Sequence, residues 1–188
     1  MLKKLVSCML AVTIVISGMS SFVMAAETDK GERAIDVVTG LKIVPEVADF
    51  EAVVTRAEFS SIALRLYDEE ITDEFSEGVN TVYADVTAEH YKSGDIARVS
   101  GKGIMRGYSD GAFHPEESLQ LAQAVKIILD MLGYAEFVEY NGGYPAGYMQ
   151  QAVFTGLVSG INKSAYDAVT YSELCRIIYN AIKIPMVT

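Results

Sequence analysis

Residues 53–66 read VVTRAEFSSIALRL, and the stretch divides at Thr55. A threonine ahead of an apolar-periodic run predicts a helix N-cap, its hydroxyl accepting an amide of the first turn. Glu58, three residues on, is placed to reach back to the cap's own N–H. Beyond it Phe59, Ile62, Ala63 and Leu66 share one helical face. Arg56 does not belong to this device, because the first turn of a helix favours anions over cations. It is either kept for another purpose or an indifferent surface residue.

Working outward, the same grammar occurs twice more. Ala124, Ile127, Ile128 and Met131 form one equivalent stripe, and Leu174, Ile177, Ile178 and Ala181 another. Each stripe is preceded by a glycine and a large aliphatic residue. Gly40-Leu41 stands 15 residues before Thr55, Gly103-Ile104 stands 17 before Gln120, and Gly156-Leu157 stands 14 before Thr170. Recurrence at this period marks a repeat protein. The expectation is an all-α fold of three helix-loop-helix units whose second helices meet around a common axis, the broad stripe of the middle one sitting deepest. The caps diverge: Thr170-Tyr171-Ser172-Glu173 keeps the box but replaces the arginine, and Gln120-Leu121-Ala122-Gln123 keeps neither a good cap nor the cation.

The N-terminus reads differently. Lys3 and Lys4, an apolar run from Leu5 to Ile16 and the small-residue site Val23-Met24-Ala25 predict an export signal over residues 1–26. Removing those two lysines takes the basic count from 15 to 13 against 25 acids, so the net charge moves from −10 to −12. That balance argues against nucleic acid and against an anionic membrane as partners. Cys175 would then be the lone cysteine, which leaves no internal disulfide and places the burden of stability on packing.

Catalytic chemistry finds little support. His90 and His114 are the two histidines, Cys175 lies at the edge of an apolar stripe, and Glu69-Glu70 and Glu116-Glu117 read as solvated faces. The turn around Asp110 lacks the alternating oxygen ligands of a calcium loop, and the acidic run 68–77 reads as a linker. No enzyme activity, cofactor or metal site is expected.

The densest turn signal is GIMRGYSDGAFHP, residues 103–115, with a tight turn at Ser109-Asp110-Gly111, an apolar anchor at Phe113 and a stop at Pro115. With Tyr83-Ala84-Asp85-Val86, His90-Tyr91 and Thr55-Arg56-Ala57-Glu58, this loop resembles the S-layer homology family. The resemblance places repeats at 27–70, 83–134 and 143–188, with a linker at 71–82. It implies a three-pronged, pseudo-threefold helical bundle that anchors an exported protein at the cell wall or S-layer surface. The implied ligand is a secondary cell-wall polysaccharide, often pyruvylated, with other surface-layer proteins as further partners and no membrane contact after signal cleavage. Carried over, it nominates Arg56 as charge partner of the acidic sugar, Thr55 and Glu58 as holding the helix start, and Gly107, Tyr108, Asp110, Tyr91 and Tyr171 as further carbohydrate-facing residues. A guanidinium beside exposed N-terminal amides would make a carboxylate receptor. Tyr91 stands where the family has tryptophan, and Tyr171 where it has arginine. The competing expectation is a structural assembly protein with degenerate pockets.

Overall fold

The computed structural model describes residues 30–67 and 78–187. The expected export signal and the acidic run 68–77 lie outside the described residues. Among the described residues the chain is helical, without a strand. Helix α1 runs through residues 30–40, followed by α2 (Arg56–Leu66), α3 (Ser93–Gly101), α4 (Leu121–Met131), α5 (Ala135–Tyr140), α6 (Ala146–Thr155) and α7 (Tyr171–Ala181). None of these is long and apolar enough to cross a membrane.

The helices form three helix-loop-helix units, α1/α2, α3/α4 and α6/α7, with α5 inserted before the last. Their packing differs from a simple meeting of second helices, because α2 packs on α3, and α4 packs more closely on α6 than on α7. The second helix of one unit thus leans on the first helix of the next. Nor does α4 sit deepest, since α2 buries eight residues of its eleven and α4 seven of its eleven.

What the three units share at the centre is the short segment before each second helix. Val54 N–H donates to Val169 O (2.9 Å), Val169 N–H to Leu119 O (2.9 Å), and Leu119 N–H to Val54 O (2.8 Å). Three fully buried residues therefore close a ring in which each gives one backbone hydrogen bond and accepts one. Isolated bridges Val53 to Thr170, Thr55 to Ser118 and Gln120 to Ala168 follow the same cyclic order. Such buried backbone groups must be paired or the fold is lost. Around the ring one apolar cluster draws on all three units, with Phe59, Ile62, Phe113, Leu119, Leu157 and Leu174 among its fully buried side chains. Burying each such side chain contributes on the order of 1.5–3 kcal/mol.

The turn after each first helix corrects the expected alignment. Gly103 (φ 71°) and Gly156 (φ 79°) take the left-handed conformation that ends a helix, as the sequence suggests. In the first unit Gly40 is still helical, and Lys42 (φ 58°) makes the turn instead. Ile43 N–H then bonds Val38 O as Ile104 N–H bonds Val99 O, five residues back in both. The true counterpart of Gly103-Ile104 is therefore Lys42-Ile43, and Leu41 points outward at 58% exposure.

Candidate ligand-binding cleft between the first and second units

Helix α2 begins as its sequence predicts. Thr55 Oγ1 accepts the Glu58 amide at 3.1 Å, and Glu58 Oε2 accepts the Thr55 amide at 2.7 Å. Thr170 and Glu173 repeat the box at α7. In α4 part of the device survives: Gln123 Oε1 accepts the Gln120 amide at 3.3 Å, so that helix start is better capped than its sequence implies.

The amides of the next two positions are not exposed. Arg56 N–H bonds Glu117 O and Ala57 N–H bonds Pro115 O, both at 2.9 Å, and the starts of α4 and α7 are used the same way. This overturns the expectation of a carboxylate receptor built on open helix-terminal amides. Whatever α2 offers a ligand comes from side chains.

Arg56 is 4% exposed, yet it lines a cavity of about 600 Å3. Its Nε donates to Phe113 O (3.0 Å) and its Nη2 to Arg106 O (3.1 Å), which draws the guanidinium onto the second unit's loop. The Tyr108 and Phe113 rings lie on it, each centroid 4.7 Å from Cζ. Nη1 has no hydrogen-bond partner among the described residues, and no described carboxylate is within ion-pair distance. Burial lowers its pKa, opposed by the nearby Tyr108 and Glu117, but a guanidinium stays charged. Carbonyl oxygens and ring faces offset only part of the cost of an unneutralised, desolvated cation.

The loop opposite is shaped by close packing. Gly107 N–H donates to Tyr83 Oη at 3.0 Å, and a Cβ there would lie 2.4 Å from Tyr83 Cε1 and 2.5 Å from Ala112 O. Only glycine fits. Asp85 accepts the amides of Phe113 (3.0 Å) and His114 (2.7 Å); burial pushes its pKa up, but those amides outweigh it and the net shift is downward. Tyr108 Oη accepts Gln123 Nε2 at 2.7 Å, which fixes the ring over Arg56.

The nominated residues divide into separate neighbourhoods. Arg56, Gly107 and Tyr108 line the cleft. Tyr91 interacts with Thr55 and Glu58, so these three gather at the cap of α2 instead; burial, Glu116 and Glu58 together raise its phenol pKa against the Thr55 hydrogen bond. Tyr171 belongs to that neighbourhood too but is 6% exposed, and burial followed by Glu58 raises its pKa. Asp110 closes its own turn, accepting the Ala112 amide at 2.9 Å and meeting His114 Nε2 at 2.7 Å. Burial pushes the Cys175 thiol up to about 12, which makes it core filling.

Sequence reading missed several lining residues: Arg106, Gln123, Lys126, Asp130 and Tyr144. Lys126 is neutralised by Asp130 at 2.5 Å, and Asp130 is held on its other oxygen by Tyr148 Oη. Arg56 thus remains the cleft's unpaired buried cation among the described residues.

Residues 82–125, which carry the cleft's loop, match the S-layer homology domain. A cell surface protein of Thermoanaerobacter kivui is 29% identical over 134 residues, 71% of this chain and 17% of that protein. A middle cell wall protein of Brevibacillus brevis is 27% identical over 133 residues, 71% of this chain and 12% of that protein. A surface layer protein of Brevibacillus choshinensis is 30% identical over 109 residues, 58% of this chain and 10% of that protein. The matched region therefore spans less than a fifth of each relative's length. The loop of the cleft, residues 103–115, thus lies wholly within the stretch that matches the S-layer homology domain.

Proposed function

We propose that this chain is a non-catalytic module that holds a protein at the bacterial cell wall or surface layer by binding an anionic wall polysaccharide, pyruvylated secondary cell-wall polymer being the ligand class. The observation that carries the reading is the Arg56 guanidinium: nearly buried, fixed by two carbonyls and two rings, lining a cleft, and left without a carboxylate. A sugar-borne carboxylate supplies the missing charge, and Tyr108 supplies the flat apolar face a pyranose packs on. The relatives' names, as cell surface, cell wall and surface layer proteins, agree with this location.

The test is co-sedimentation with purified cell wall before and after removal of its pyruvylated polymer. Binding is expected to the intact wall only, and Arg56→Gln is expected to weaken it at least about tenfold, the loss of one charge-assisted contact. The thermal melt of the variant separates lost binding from lost folding. Retention by stripped wall, or a folded variant that sediments normally, would count against the cleft.

An assembly role is a second reading, favoured by outward-facing Tyr140 (93% exposed) and Phe154 (84% exposed) on the helices of the third unit and its insertion. It predicts concentration-dependent self-association in sedimentation equilibrium.

A further inference from the structure

We propose that the Arg56 cleft takes a doubly charged stretch of wall polysaccharide, one acidic group seated on Arg56 and a second held at the rim by Arg106. The inference rests on the reading of Arg56 given above and extends it from one charge to two. Four charged side chains line the cavity: Arg56, Arg106, Lys126 and Asp130. Three cations against one acid leave a local charge of +2 on a chain whose net charge is −10. Lys126 and Asp130 cancel each other at 2.5 Å, so the excess belongs to the two guanidinium groups.

The two arginines are differently placed. Arg56 is nearly buried and immobilised, whereas Arg106 is exposed. The backbone links them: Arg106 O accepts Arg56 Nη2 at 3.1 Å, so one loop residue both fixes the inner cation and brings the outer one to the same cavity. Arg106 Nη2 lies back over the turn that ends α3, 3.8 Å from where a Cβ on Gly103 would stand, and Gly103 lines the cavity as well. No described carboxylate is within ion-pair distance of Arg106.

Size agrees with charge. A cavity of about 600 Å3 falls within the roughly 300–1,000 Å3 range of pockets that enclose a drug-sized ligand, which is room for two sugar residues and not merely for one acidic substituent. Two like charges in one concave site repel each other and project a positive field from it. A single carboxylate on Arg56 answers half of that excess. Acidic groups on neighbouring sugars answer all of it, the inner one in a desolvated seat and the outer one in a wetter position. The second group is a carboxylate or a phosphate, since a guanidinium fork accepts either.

Calorimetric titration of the full chain with three disaccharides of equal size tests this: one with a single pyruvyl ketal, one with a ketal on each sugar, and one with a ketal and a methyl phosphate diester. Each doubly charged probe is expected to bind about three- to fivefold tighter than the singly charged one, the scale of one exposed charge pair, and the gain is expected to shrink as salt is added. The tighter of the two identifies the second group. In Arg106→Gln the ratio of the two affinities should fall to about one, and Arg106→Lys, which restores a point charge, should recover part of it. Arg56→Gln should weaken all three probes. A singly charged probe that binds the native chain through Arg56 with no gain from the second charge, or a gain that survives in a folded Arg106→Gln variant, would overturn this inference and leave the Arg56 reading standing. Failure of every probe to bind would remove both.

Discussion

His114 shows how a single contact of the loop sets a pH window. Its hydrogen bond to Asp110 raises the imidazole pKa, while the Ala112 amide and then His114 lower that of Asp110. A histidine easier to protonate in the folded chain contributes stability that is complete below its unfolded pKa of about 6.5 and lost as pH rises through the raised folded value. A carboxylate with a depressed folded pKa contributes stability that is present above about 4 and lost as pH falls through the folded value. Loop stabilisation is thus greatest between roughly pH 4 and 6.5. In an NMR titration the His114 midpoint should lie above that of an unfolded peptide and should fall in Asp110→Asn. A midpoint indifferent to that substitution would exclude the pair. At this scale Arg56 was legible because a cation in a first turn contradicts the helix dipole, and a contradiction of that kind marks a residue with another task. Tyr144 and Lys126 were not, because Tyr144 reaches the cleft from the segment before α6 and Lys126 from within α4, and neither carries a local anomaly.

Helix ends show where pattern reading succeeds and fails. Thr55 with Glu58, and Thr170 with Glu173, announce themselves because capping is a contact of three residues' range. The end of α1 did not, since a glycine was in sight at position 40 while the backbone turns at Lys42 (φ 58°). A side chain there costs roughly 1–2 kcal/mol in the left-handed region, partly recovered in the unfolded state where glycine is more disordered. Lys42→Gly should therefore stabilise the chain by roughly 0.5–1 kcal/mol, read as a higher urea midpoint at unchanged slope. A loss of stability would mean that the lysine side chain has a role beyond the turn. The starts of the second helices were misjudged in the opposite sense. Their amides look free from within one unit and are consumed by carbonyls of another, such as Ala57 N–H on Pro115 O.

Over the whole molecule, three helix-loop-helix units were legible from their periodicity, but the way they join was not. Helix α2 leans on α3 and α4 on α6, and backbone hydrogen bonds link Val54, Leu119 and Val169 across more than 40 residues at each step. Backbone pairing over such distances leaves no mark on side-chain identity. A closed ring also predicts cooperativity, since no unit opens without breaking a bond of both others. Native-state hydrogen exchange should give the amides of Val54, Leu119 and Val169 one common opening free energy, equal to that of global unfolding. A lower value at any of the three would show that its unit detaches alone.

The direction of that ring has a further consequence. Every junction is a donor from one unit seated on an acceptor of another, so an excised unit would carry one unmatched valence of each kind at its centre. Two copies could satisfy half of them. Three identical copies are the fewest that reproduce the closed circuit with this geometry, so a single excised unit would have to trimerise to recover the seal that the intact chain makes within itself.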